Sequence, residues 1–326
     1  MMLIIYGPTQ TGKTDLALQL ARKFQGELIS ADSRQVYKGL DIGSGKVGFS
    51  DVVSKHHGYW TVNGVRINGF DLADPGQQFS AADFLKFAHT TMIQIIEAKK
   101  IPIVVGGTGF YIKALLDGIG SIGIPADWKL RSGFEKSSRD NLYKHLLLIN
   151  PKRAKSMNRS DRANPRRLIR AIEVATYKKY QVSSIKNQGN TKYKIPNTKY
   201  LILGLTASNE FLYRKADNWL EERIQKGLID EVKKFLEGGV DSKWLEDLGL
   251  EYRWITRYLL GELSYEESLS RLKGDIHSFI RRQKTWFKKI KDVWFFDICN
   301  DDYQALIEKT VGLWYTKENE RRKNLA

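Results

Sequence analysis

The sequence predicts an α/β protein: a parallel-sheet core with an inserted, mainly helical domain. Three observations carry that prediction. Short apolar runs without alternation, the mark of strands buried on both faces, alternate with amphipathic helical stretches in the first third of the chain. A glycine-punctuated loop joins the first such run to the first helix. From about Lys113 the character changes to basic amphipathic helices, and a late apolar run, Tyr200 to Leu205, can rejoin the first sheet.

Taken in order, Leu3 to Tyr6 reads as a buried strand. The loop Gly7 to Thr14 follows, then a helix over Asp15 to Phe24 with Leu16, Leu20 and Phe24 at helical spacing. Leu28-Ile29 is a second strand, ending at Ser30-Ala31-Asp32. Tyr59 to Val62 and Val65 to Ile67 flank Asn63-Gly64, a two-residue hairpin turn that needs positive φ. Phe79 to Lys99 reads as a helix, with Ser80 and Asp83 spaced for a capping box. Ile101 to Val105 is another buried strand, stopped by Gly106-Gly107. Segments 130–180 and 209–290 read mainly as amphipathic helices rich in Lys and Arg. Gln188 to Thr198 reads as a polar loop, and Lys317 to Ala326 as a charged, frayed tail. This divides the chain into a core over 1–115, an inserted helical region over 116–198, a return to the core with basic helices over 199–315, and a tail over 316–326.

Composition narrows the function. Of 326 residues, 53 are Lys or Arg and 37 Asp or Glu, a formal net charge of +16 that favours a polyanionic partner, nucleic acid first. A single cysteine, Cys299, excludes an internal disulfide and a cysteine-rich zinc site, and fits a reducing cytoplasm. No run approaches the length of a membrane span, so no membrane partner is expected.

Gly7-Pro8-Thr9-Gln10-Thr11-Gly12-Lys13-Thr14 matches G-x-x-x-x-G-K-[ST] between strand and helix, the setting of a P-loop. Its backbone N–H groups and the helix N-terminus favour phosphate, Lys13 adds a mobile charge, and the Thr14 hydroxyl can ligate Mg²⁺. Such a loop implies a diphosphate or triphosphate, not specifically a nucleotide. A nucleotide hydrolase usually adds an acid at the end of another core strand. The strand Ile101 to Val105 ends instead in Gly106-Gly107-Thr108-Gly109. Asp32 stands at a strand's carboxyl end, where ligands of open α/β sheets gather, and reads equally as a helix cap or a base.

The chain resembles the tRNA dimethylallyltransferase (tRNA isopentenyltransferase) family. The matching pieces are GPTQTGKT, ISADSRQVYKGLDIGSGK, DLADPGQQFSAADF, PIVVGGTGFYIKALLDG, NPRRLIRAIEV, GLIDEV and RRQKTWF, in family order over about the first 295 residues. The resemblance implies transfer of a dimethylallyl group from dimethylallyl diphosphate to N6 of adenosine 37, beside the anticodon of tRNA, by a monomer using Mg²⁺. By position it gives Asp32 the role of general base, with Lys13 and Thr108 also catalytic, and it gives Gly7 to Thr14 the donor diphosphate. It places tRNA contacts at Asp32, Ser33, Arg34, Gln35, Thr108, Arg131, Arg166, Arg167, Arg170, Arg281, Arg282, Gln283, Trp286 and Lys288. Trp286 suits a stacking platform, and Phe110 and Tyr111 suit the lining of an apolar tunnel.

The sequence departs from the family at several places, the Asn63-Gly64 hairpin lying in a region shorter in typical members. Lys215 and Trp219 stand where relatives carry an Arg-x-x-x-Arg pair, and Glu251 replaces the glycine usual before Tyr252-Arg253. An adenylate prenyltransferase, a small-molecule P-loop kinase and a non-catalytic tRNA-binding protein are the alternatives.

Overall fold

The computed structural model describes residues 1–118, 121, 124–180 and 199–323. Two compact units result: Met1–Asp117 with Ile195–Ala326, and Gly118–Lys194. The expected loop over Gln188 to Thr198 lies outside the described residues.

The first unit is built on one eight-stranded sheet. Its strands are β1 (Met2–Tyr6), β2 (Gly26–Ser30), β3 (Val53–His56), β4 (Tyr59–Val62), β5 (Val65–Asn68), β6 (Ile101–Gly106), β7 (Tyr200–Thr206) and β8 (Val293–Asp297). The order is β3-β4-β5-β2-β6-β1-β7-β8, antiparallel from β3 to β5 and parallel from β5 to β8. Ile5 pairs with Val105 and Tyr6 with Gly106, while Ser30 also pairs with Val105. The carboxyl ends of β1, β6 and β2 are therefore level, and their outgoing loops share one edge.

Alternation along β1 sorts the core into two layers. Leu3 and Ile5 face a cluster with Leu16 and Leu20 of α1 (Lys13–Phe24). Met2, Ile4 and Tyr6 face Phe84, Ala88 and Met92 of α2 (Ala81–Glu97) and Ile112 of α3 (Gly109–Asp117). Ser80 and Asp83 complete the capping box that the spacing predicts. The Asn63-Gly64 turn forms as expected, with φ of 49° and 78°.

Strand β3 was invisible in the sequence because Ser54-Lys55-His56 is polar and joins the sheet only through β4. Edge strand β8 follows a charged run and has three of its five residues exposed.

A third apolar cluster unites Val36, Tyr37 and Leu40 with the helices α9 (Asn209–Gln225), α10 (Leu228–Glu237), α11 (Ser242–Leu248), α12 (Leu250–Leu259) and α13 (Tyr265–Phe287). The segment after Asp32 is thus packed against a helical layer. The expected frayed tail is a correction over its described part: α14 (Tyr303–Lys323) continues into it as far as Lys323. Ile307 and Val311 are buried on the sheet and Trp314 and Tyr315 pack beside them, so anchored early turns carry the helix into its charged end.

The second unit holds α4 (Trp128–Phe134), α5 (Arg139–Ile149), α6 (Pro151–Ser156), α7 (Arg159–Arg162) and α8 (Pro165–Tyr180). Its core joins Leu142, Leu146, Ala154, Leu168 and Ile172. Among the described residues no helix is long and apolar enough to cross a membrane.

Candidate active site

The loop Gly7 to Thr14 leaves β1 and enters α1. Gly12 is its left-handed hinge at φ 71° and serves as the N-cap of α1 without a side-chain cap bond. The Thr11 hydroxyl donates to the Pro8 carbonyl at 2.9 Å, and Lys13 Nζ donates to the same oxygen at 3.1 Å. Lys13 therefore lies folded across its own loop. Burial pushes its pKa down to about 8, a shift partly offset by Asp32 and then Asp15.

Asp32 leaves β2 half-buried, and its Oδ1 accepts the Arg34 N–H at 2.9 Å. That Asx turn fixes the carboxylate against its own backbone. The next three residues are anchored separately. Ser33 N–H donates to Thr108 Oγ1 at 3.0 Å. The Arg34 guanidinium pairs with Glu251. Gln35 accepts from the Ser30 hydroxyl at 2.6 Å and donates to the Gly45 carbonyl at 3.0 Å.

Between Lys13 and Asp32 lies the end of β6. A Cβ at Gly106 would meet the Ala31 carbonyl oxygen at 2.2 Å, so only glycine admits this approach of β2. Gln283 of α13 spans the gap: Thr9 N–H donates to its Oε1 and its Nε2 donates to the Gly107 carbonyl, both at 3.0 Å. Both ends of this amide are engaged inside the protein. Trp286 likewise lies against Gly109, where a Cβ would fall 2.3 Å from the indole. Tyr111 is core, stacked on Phe84 with ring centroids 4.2 Å apart, whereas Phe110 is exposed.

A clamp holds the segment after Asp32. Glu231 of α10 accepts three successive N–H groups, from Asp41, Ile42 and Gly43 at 2.9, 2.6 and 3.0 Å, and the Tyr252 hydroxyl at 3.0 Å. Lys46, wholly buried, donates to Tyr37 O at 2.8 Å and to Asp41 at 2.7 Å. It also reaches Asp71, which Trp60 of the hairpin holds at 2.7 Å. Arg223 is spent on this segment, donating to the Ile42 carbonyl at 2.6 Å with its guanidinium 4.4 Å from the Trp219 ring. The sequence signal for Glu231 lay in GLIDEV, but its partners sit 188 to 190 residues away.

The basic residues divide into two sets. Arg281 is tied to the Tyr213 hydroxyl at 2.8 Å, while Arg282 and Lys288 are exposed. In the helical unit Arg131 and Arg170 both grip the buried carboxylate of Glu173, and Arg167 pairs with Asp161 at 2.6 Å. Arg166 lies exposed on α8.

Comparison with known proteins adds to this geometry. The profile of the IPP transferase family matches residues 35–290. The tRNA dimethylallyltransferase of Acetivibrio thermocellus is 36% identical over 308 residues, 93% of each chain. The solved full-length tRNA isopentenylpyrophosphate transferase of Bacillus halodurans aligns over 100% of this chain and 99% of its own, with TM-score 0.68 and 29% identity. A eukaryotic dimethylallyltransferase acting on tRNA shares the fold, with TM-score 0.73 over 94% of this chain and 77% of its own at 23% identity. Fold and matches define a prenyltransferase. The chain belongs to the IPP transferase family, that of the tRNA dimethylallyltransferases.

Proposed function

We propose that this enzyme moves a dimethylallyl group from dimethylallyl diphosphate to N6 of adenosine 37 in tRNA, with Asp32 as general base. One observation carries the reading: Asp32, the larger of the two carboxylate influences on Lys13, stands beside the glycine turn Gly106-Gly107 that separates it from the phosphate-type loop.

The chemistry fits that gap. The allylic C–O bond breaks and its electron pair leaves with the diphosphate. Loop N–H groups and Lys13 meet the charge as it develops on the leaving oxygens. The amine lone pair forms the new C–N bond, and Asp32 takes the N6 proton in the same step. Thr108, bonded to Ser33, steadies the turn that aims Asp32.

Among the described residues no group of three or more His, Cys, Asp and Glu could hold a metal. The Thr14 hydroxyl in the first turn of α1 is the side chain that would hold a Mg²⁺ ion, which takes oxygen ligands readily. When bound it would neutralise diphosphate charge. Net charge of +16 and exposed Arg282, Lys288 and Lys289 support an RNA partner over free adenylate.

The test supplies labelled dimethylallyl diphosphate and Mg²⁺ with unmodified tRNA or with AMP. Label on one anticodon-loop adenine supports the reading. Label on AMP alone makes the protein an adenylate prenyltransferase, and γ-phosphate transfer from ATP makes it a kinase.

A further inference from the structure

We propose that Glu251 is a positioning residue that keeps Arg34 away from Asp32 and so leaves that carboxylate free to act. The inference rests on the reading of Asp32 as the base.

Glu251 sits in the first turn of α12, only 2% exposed, in a helix whose neighbouring buried positions are Tyr252, Ile255 and Thr256. A carboxylate there requires a charged partner. Its partner is the Arg34 guanidinium, 217 residues away in the chain. Burial works against the Arg34 charge, but Glu251, then Asp32 and Tyr252, more than offset it, so the guanidinium is held more firmly protonated than usual. Arg34 is therefore a permanent cation with two carboxylates in range, one on α12 and one that is the candidate base.

The backbone makes the competition acute. Arg34 N–H already donates to Asp32 Oδ1. The two residues form one turn, and a guanidinium released from Glu251 has Asp32 as its next counter-charge. An arginine fork on both oxygens of Asp32 would occupy the lone pairs that must receive the N6 proton. Glu251 prevents this by offering Arg34 a better-enclosed partner.

The experiment compares Glu251→Ala, Glu251→Gln, Arg34→Ala and the double variant Arg34→Ala/Glu251→Ala, with Asp32→Ala as control. Single-turnover rates and KM for dimethylallyl diphosphate are measured on a tRNA substrate, and each variant's folding is checked by thermal melt. Glu251→Ala is expected to lose about tenfold or more in rate with the donor KM unchanged, on the way to the ~10²–10⁴ that loss of a general base costs. Glu251→Gln, which keeps the side-chain volume, is expected to follow the same direction. The double variant is expected to return to within about threefold of Arg34→Ala, because no arginine remains to seize Asp32. A merely structural role for the pair lowers the melting temperature of Glu251→Ala in step with its rate and restores both in the double variant; a rate loss that tracks the melt in this way, or a double variant no better than Glu251→Ala, overturns the proposal. Full rate in Glu251→Ala also overturns it. Full rate in Asp32→Ala sinks the general-base reading and this proposal with it, whereas an inactive Asp32→Ala with no rescue sinks this proposal alone.

Discussion

Lys13 shows how a single residue can be poised by its surroundings. Its ammonium lies across the Gly7 to Thr14 loop with a pKa near 8, lowered mainly by burial. A bound diphosphate would add counter-charge to that of Asp32 and Asp15, so the pKa in the complex would be higher. Below about pH 8 the lysine is charged with or without ligand, and diphosphate affinity does not depend on its titration. Above that value binding takes up a proton, and affinity falls as pH rises. Calorimetry on the alkaline side, in two buffers of different ionisation enthalpy, should register this uptake for the wild type and not for Lys13→Met.

Gln283 is the second residue whose surroundings define its work. Replacing it with Leu strands the Thr9 N–H and the Gly107 carbonyl at once. Each orphaned group costs about 1–3 kcal/mol where water cannot reach it. Gln283→Leu should therefore lower the urea midpoint and raise the donor KM, with RNA affinity retained. An unchanged donor KM would mean the amide does not shape the loop.

At the scale of elements, local chemistry was legible in the sequence and distant partnership was not. The strand-loop-helix around Gly7 to Thr14, the capping box at Ser80 and the Asn63-Gly64 hairpin are written in contiguous residues, and all three formed. The position of Asp32 at a strand end was equally readable. Glu231, Glu251 and Gln283 were not assigned their contacts, because each acts on a loop some 190 to 274 residues away. The helical layer's packing against Val36 to Leu40 brings Glu231 and Glu251 there, and Phe287, stacked on Tyr6, seats the end of α13 that carries Gln283.

The arginines of α4 and α8 also act over distance: Arg131 and Arg170 bracket Glu173, which also accepts the Asp127 N–H at 2.6 Å. Burial resists ionisation of Glu173, but these bonds win and hold its carboxyl below the ordinary glutamate range. The stability it contributes is therefore complete at neutral pH and is lost as pH falls through that lowered value. Glu173→Ala should destabilise the helical unit by about 3–5 kcal/mol, the cost of breaking a buried pair. Hydrogen exchange along α5 and α8 would detect it.

At the scale of the molecule, charge and fold divide the task. The level carboxyl ends of β1, β6 and β2 bring the Gly7 to Thr14 loop and Asp32 to one edge of the sheet. The excess of +16 supplies a general attraction for RNA. RNA affinity should fall steeply with salt, each neutralised phosphate adding about 0.7–0.9 to the logarithmic slope. Arg282→Ala or Lys288→Ala should each reduce that slope by about one without changing the site of modification.

The most direct measurement is the single-turnover rate of dimethylallyl transfer to an anticodon stem-loop, with donor and RNA saturating, for the wild type and Asp32→Asn. A fall of ~10²–10⁴ with both ligands still bound is the expected result, with wild-type label on the exocyclic amine. Equal rates in the two proteins, or label on any other atom, would contradict a carboxylate base acting across the gap from a diphosphate cradle.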